Sequence, residues 1–299
     1  PNTDQLINRS TYQPNQLNQP NQPNQLSKMN SYFENKVVAV TGGSDGIGKA
    51  LVEALLLAKA KVSTCGRSAD KIYQLQLANP GAPLHTMVAD VSRPEDCARF
   101  IESTKHNFGP IDILINNAGI SMRALFTDMG TDLAVIRKVM DTNFFGTAYC
   151  CKYALPQLQQ TQGTIVGISS IAGFRGLPGR SAYSASKFAL NGFLESLRTE
   201  LQDQHIHVMW VSPGFTQSNI RNSALDSRAE PETHSLMEEG KLMTAEECAQ
   251  HILNAIAHKK RNLILTGTGK RTVFMNKFFP GWADNLVHKF YFKDGKLVK

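Results

Sequence analysis

From Lys36 onward the chain alternates short, continuous apolar runs with longer segments whose apolar residues recur at helical spacing. Val37-Val38-Ala39-Val40 is a run of the first kind, suited to a strand covered on both faces. Ile47, Ala50, Leu51, Ala54, Leu55 and Ala58 follow as one stripe of an amphipathic helix. Further strands are expected at 62–65, 84–88, 111–115, 164–169, 206–211 and 262–265. Helical patterns separate them around 69–77, 94–107, 131–159, 181–203 and 244–258. Pro94 suits the first turn of its helix, with Ser92 as the cap. Strands alternating with helices in this way imply a single α/β domain with a doubly wound, seven-stranded parallel sheet. Ligands of such a fold bind beyond the carboxyl ends of the strands.

Both ends of the chain break the pattern. Residues 1–30 are rich in Asn, Gln and Pro, with Pro-Asn-Gln recurring at Pro14, Pro20 and Pro23. So little apolar surface cannot offset the entropy of ordering, and a disordered arm is expected. The folded domain then spans 35–268, and 269–299 is a basic, aromatic-rich extension. Between Lys259 and Lys299 ten Lys or Arg face only Asp284 and Asp294, so the formal charge of +7 belongs to this end. Two readings of the extension stay open: an element lying on an anionic membrane surface, or a helix packed on the domain or on a partner subunit. The nearly neutral domain carries no nucleic-acid-reading motif, so no nucleic-acid partner is expected. The segment 217–243 is polar and irregular, and reads as a lid over the crevice.

At 41% apolar residues the composition can fill a large core. Five cysteines without metal or disulfide spacing read as reduced thiols. His205 and His207 flank Ile206 at the start of a strand, and no metal site is expected. Neither a secretory signal nor an apolar run of spanning length is visible, so a cytoplasmic protein is expected.

Two groups of residues carry chemistry. Thr41-Gly42-Gly43-Ser44-Asp45-Gly46-Ile47-Gly48 joins the first strand to the first helix. Glycines there permit a tight turn and the close approach of a pyrophosphate to free amides at a helix N-terminus. The second strand ends Cys65-Gly66-Arg67-Ser68, with no acid for a ribose hydroxyl. Arg67 offers a fork suited to a 2′-phosphate and Ser44 a hydroxyl, which favours NADP(H) over NAD(H). Asp45 speaks the other way, because a carboxylate beside that phosphate would repel it.

In the second group, Tyr183 and Lys187 share one helix face and Ser170 lies just past a strand end. A phenol ionises near pH 10, and a neighbouring ammonium favours the phenolate. Such a Tyr can hand a proton to a carbonyl oxygen while Ser170 orients that oxygen. Tyr-x-x-x-Lys alone says little, since Tyr32 and Lys36 repeat it ahead of the first strand. Its place downstream of the glycine turn, with Ser170 nearby, singles Tyr183 out.

Together these motifs resemble the short-chain dehydrogenase/reductase family, in its compact branch, over about residues 35–268. Asp90-Val91 is similar to the family's adenine-contacting pair, and Asn116-Asn117-Ala118-Gly119 to its turn after the fourth strand. Asn143 matches its catalytic Asn, implied to hold a water in a relay towards Lys187. Pro213-Gly214-Phe215-Thr216 resembles the loop that meets the nicotinamide carboxamide. The stretch 137–216 looks like the dehydrogenase/reductase member 7 type, near the microsomal hydroxysteroid dehydrogenases.

The resemblance implies an NADP(H)-dependent oxidoreductase that interconverts a lipophilic ketone and its secondary alcohol. Catalysis would fall to Asn143, Ser170, Tyr183 and Lys187. The cofactor would meet Gly42, Ser44, Asp45, Gly46, Ile47, Gly48, Arg67, Asp90, Val91, Asn117, Ala118, Gly119, Tyr183, Lys187, Pro213, Gly214 and Thr216. A homodimer or homotetramer through the helices at 131–159 and 181–203 is implied as well. Microsomal location is not carried over, because the sequence shows no N-terminal anchor. For the substrate, Ser121, Met122, Arg123, Phe126 and Phe174 are the expected walls, together with the lid. The competing reading is a non-catalytic NADP(H)-binding sensor or scaffold on the same fold.

Overall fold

A computed structural model describes residues 29–214, 216, 220, 224–231 and 242–298. The chain runs β1 (Val37–Thr41), α1 (Gly46–Leu57), β2 (Lys61–Gly66), α2 (Ala69–Leu77), β3 (Leu84–Val88), α3 (Pro94–Phe108) and β4 (Ile113–Asn116). It continues with α4 (Ala134–Met140), α5 (Gly146–Thr161), β5 (Thr164–Ile168), α6 (Ser181–Glu200), β6 (His207–Ser212), α7 (Ala245–Ala257) and β7 (Asn262–Ile264). All seven strands pair in parallel in the order β3-β2-β1-β4-β5-β6-β7. The order reverses between β1 and β4, which opens a crevice beyond their carboxyl ends.

Every residue of β1, β4 and β5 is buried, as a sheet covered on both faces requires. Side-chain alternation then sorts the core into two layers. Val38, Val40, Ile113 and Ile115 pack with Leu51 and Leu55 of α1 and Ile252 and Leu253 of α7. Val37, Ala39, Leu114 and Ile165 pack instead with Phe100 of α3, Leu158 of α5 and Leu194 of α6.

Three sequence expectations change. Residues 1–28 of the N-terminal arm lie outside the described residues, but 29–33 are helical, and Met29 and Phe33 are buried in the first core layer. The helix expected at 131–159 begins only at Ala134, after Leu133 in the left-handed region (φ 51°), and a π-helical stretch, Asp141–Phe145, interrupts it. Ser92 does not cap α3. Its backbone N and hydroxyl both donate to Asp90 (3.0 and 2.8 Å), and Arg93 occupies the cap position without a side-chain bond.

The C-terminal extension is docked on the domain. Beyond β7 the chain forms α8 (Gly267–Phe278), α9 (Pro280–Tyr291) and a two-residue-strand hairpin, β8 (Phe292–Lys293) and β9 (Lys296–Leu297). Asp294 and Gly295 both take positive φ (51° and 72°), as a tight hairpin turn with the right twist demands. Arg175, in the loop after β5, fastens α8 and α9 to the domain by donating to Asn276 (2.9 Å) and Asp284 (2.6 Å). Asn276 in turn donates to the Phe174 carbonyl (2.8 Å).

Candidate active site

At the sheet's switch point, Gly42 takes φ 69°, in the left-handed region that favours glycine. A Cβ at Gly48 would stand 2.1 Å from the Gly42 carbonyl oxygen, so the turn closes only with glycine there. The turn after β4 braces it: Asn117 donates its amide to the carbonyls of Thr41 (3.0 Å) and Gly42 (3.1 Å). The backbone N–H groups of Asn117 and Ala118 donate to the Thr41 hydroxyl (3.1 and 3.0 Å).

Asp45 caps α1 by accepting from Gly46 N (2.8 Å), and its carboxylate is ion-paired to Lys71 of α2. The repulsion that the sequence suggests at Asp45 is therefore offset by an adjacent ammonium. Lys71 lines the same end of the cavity as Ser44, Arg67 and Ser68. Sequence reading missed it, since its only signal is a Lys one turn into the helix after Arg67.

One continuous cavity of about 740 Å³ runs from this basic end, past Asp90, Val91, Asn117, Ala118 and Gly119, to Ser170, Tyr183 and Lys187. Gly42, Gly46, Ile47, Gly48, Pro213, Gly214 and Thr216 also line it, so each expected cofactor contact borders the same space. A bare-backbone turn at a helix N-terminus, a basic end and a long connecting cavity fit a dinucleotide.

Ser170 leaves β5 in extended conformation and accepts from Ala172 N (3.1 Å), which fixes its hydroxyl at the cavity wall. Tyr183 and Lys187 extend from the first turns of α6, with the Lys187 ammonium 5.7 Å from the centre of the Tyr183 ring. Lys187 is only 4% exposed and donates to the Ile168 carbonyl (2.8 Å). Burial lowers its pKa to about 8, because the charged form loses its hydration.

Asn143 sits fully buried in the π-helical stretch. Its amide donates to the Ile120 carbonyl (2.9 Å) and the Ser186 hydroxyl (3.0 Å), while its oxygen accepts from Ile120 N (2.8 Å). The side chain thus clamps the loop after β4 onto α6 and bonds neither Tyr183 nor Lys187 directly. A π-bulge is a recurrent way to place such a residue, and a smooth helical periodicity hides it.

The substrate end differs most from expectation. Of Ser121, Met122, Arg123, Phe126 and Phe174, only Ser121 borders the cavity, and among the described residues of the expected lid Ile220 borders it too. Met122 is fully buried against Val135 and Leu225, and Phe126 lies in an exposed turn. Arg123 N pairs with the Leu225 carbonyl (2.7 Å), and Phe174 lies under Asn276. The wall is built by Ile171, Leu177 and Ile220 and by α8 and α9, through Thr272, Leu286, Val287, Phe290 and Tyr291. Most of the expected lid, at 217–219, 221–223 and 232–241, lies outside the described residues. Ala224, Leu225 and Ala229, within it, are buried rather than solvated.

A glycine turn at the switch point of a doubly wound sheet, opening on a buried Lys beside a Tyr, defines a nucleotide-binding oxidoreductase of the Rossmann class. The chain belongs to the short-chain dehydrogenase family, whose sequence profile matches residues 36–229. It is similar to Dehydrogenase/reductase SDR family member 7B of Bos taurus, 35% identical over 269 residues, covering 85% of this chain and 81% of the relative. The counterpart of that protein in Mus musculus is 33% identical over 264 residues (85% and 80%). An Arabidopsis thaliana relative, 11-beta-hydroxysteroid dehydrogenase 1A, is 33% identical over 237 residues (76% and 67%). Membership brings a nicotinamide nucleotide as cofactor and a small molecule as substrate.

Proposed function

We propose that the protein is an NADP(H)-dependent reductase or dehydrogenase that interconverts a lipophilic ketone and its secondary alcohol. The observation that carries this reading is the buried Lys187 ammonium beside Tyr183, on the same cavity wall as Ser170. When bound, the nicotinamide supplies or accepts the hydride. Tyr183 donates the proton to the substrate oxygen in reduction and takes it back in oxidation. Ser170 accepts from Ala172, which leaves its own proton to be donated to that oxygen. Lys187 favours the Tyr183 phenolate and holds the nicotinamide ribose. Asn143 positions the loop and helix around them. The apolar wall from Ile171 to Phe290 suits a lipophilic substrate, as do the hydroxysteroid dehydrogenase relatives.

For the cofactor we favour NADP(H), on the strength of Arg67 with Lys71 and the offset charge of Asp45. Arg67→Ala is expected to raise the NADPH dissociation constant about tenfold or more and to leave NADH nearly unchanged, read by quenching of protein fluorescence. Equal effects on both nucleotides would point to NAD(H). Lys71→Ala should shift the same ratio in the same direction.

The π-helical stretch and the outer faces of α5 and α6 expose Phe145, Tyr153 and Phe188, which suit a homodimer or homotetramer. Five free, buried thiols suit a reducing compartment, and we place the protein in the cytoplasm. Among the described residues no helix is long and apolar enough to cross a membrane. The deciding experiment follows NADPH and NADH oxidation against a panel of lipophilic ketones, and the reverse reaction with the matching alcohols. Cofactor binding without turnover in either direction would favour a sensor or scaffold.

A further inference from the structure

The two C-terminal helices present one face to the cavity and leave another bare. Trp282, Leu286 and Phe290 recur every fourth residue along α9, and are 58, 48 and 42% exposed. Phe274 and Phe278 of α8 lie beside each other, tilted, with ring centres 4.8 Å apart, and Phe279 sits at the corner between the helices; all three are more than half exposed. A folded monomer gains nothing by leaving six large apolar side chains in water on one element. On its inner side the element is well anchored, by buried Ala283 and Tyr291 and by the Arg175 bonds to Asn276 and Asp284.

Charge says what covers the patch. Lys270, Arg271, Lys277 and Lys289 are all exposed on the same two helices, and the Lys277 ammonium lies 5.7 Å from the Phe278 ring. Within these helices the only acid is Asp284, already paired with Arg175. Aromatic side chains ringed by cations match the boundary layer of an anionic bilayer, where rings enter the acyl region and ammonium groups meet phosphate. Leu286 and Phe290 belong both to the patch and to the cavity wall, so the face that meets lipid runs into the mouth of the site.

We propose that α8 and α9 form a peripheral docking face for an anionic lipid surface, and that a lipophilic substrate enters the cavity from that surface past Leu286 and Phe290. Docking stands apart from the reductase reading; only the entry route rests on it.

The chain's two tryptophans make the test direct, since Trp210 is buried in the core and Trp282 is on the patch. Full-length protein is mixed with vesicles of phosphatidylcholine alone or with phosphatidylserine, at low and high salt. With phosphatidylserine, flotation with the vesicles and a blue shift of emission are expected, together with quenching by chain-brominated lipid. Trp282→Phe should erase the optical signal and keep some flotation. Lys277→Gln with Lys289→Gln should weaken binding about tenfold or more, each cation near such a surface contributing about fivefold. Phe278→Glu with Phe279→Glu should abolish it and leave the thermal midpoint and the turnover of a short, water-soluble ketone unchanged. Turnover of a vesicle-borne ketone should fall in that last variant; if it does not, the entry route is wrong while docking stands. No flotation of the wild type at low salt overturns docking. So does self-association without lipid that the Phe278/Phe279 variant loses, because a second copy of this chain would then be the occupant.

Discussion

Tyr183→Phe is expected to cut turnover by about 10²- to 10⁴-fold, the range over which a positioned acid or base accelerates a reaction. The substitution is clean, because the ring keeps its place. Tyr183 packs against the cluster formed by Ile120, Met122, Val135 and Val139, which a phenyl ring fills equally well. Only the hydroxyl leaves. With it goes the proposed acid, the phenol beside the Lys187 ammonium on this cavity wall. Steady-state NADPH oxidation measures the loss, and titration of the same variant with NADPH should show cofactor affinity within about threefold of wild type. Turnover that stayed within threefold would remove Tyr183 from the acid/base role and leave the fold with another donor to find. Ser170→Ala should cost less, since it removes an orienting hydrogen bond while the proton source survives.

That these residues meet at all could be seen from the sequence, and for a physical reason. Strands buried on both faces must be continuous apolar runs, so β1, β4 and β5 stand out, and their ends mark where loops face the crevice. Glycine spacing and the four-residue step from Tyr183 to Lys187 are local, hence visible without any knowledge of packing.

What stayed hidden depends on contacts between distant segments. The charge at Asp45 looks unfavourable until Lys71, 26 residues on, is found against it. The side chain of Asn143 sits in a π-helical stretch that the sequence pattern reads as part of one continuous helix over 131–159. The substrate wall was misplaced because α8 and α9 fold back over Ile171 and Leu177. Contacts more than 100 residues apart in the chain, Arg175 with Asn276 and Asp284 and Asn276 with the Phe174 carbonyl, help bring them there. Their exposed aromatic residues masked the fact that other side chains of the same helices line the cavity.

Lys187→Met should abolish turnover and yet make the protein more stable at neutral pH. In the fold, burial brings the ammonium from the usual 10.5 to about 8. Below pH 8 both folded and unfolded chains hold the proton, and the folded state bears the full cost of a buried charge. Between about pH 8 and 10.5 the unfolded chain binds more protons, so wild-type stability gains from this site as pH rises, and above that window the cost is gone. The shift corresponds to about 3 kcal/mol as an upper bound, less about 1 kcal/mol for the lost bond to the Ile168 carbonyl. A gain of about 2 kcal/mol at pH 7 is therefore expected, shrinking through the window and turning to a small loss near pH 11. Urea unfolding of both proteins at pH 7 and pH 10 reads it directly. A variant less stable than wild type at pH 7 would mean that Lys187 is not held as a desolvated cation. The two effects have opposite signs: a lysine that costs stability at neutral pH is one that packing alone would not keep, and in the proposed mechanism its neighbour Tyr183 is the group that uses the charge.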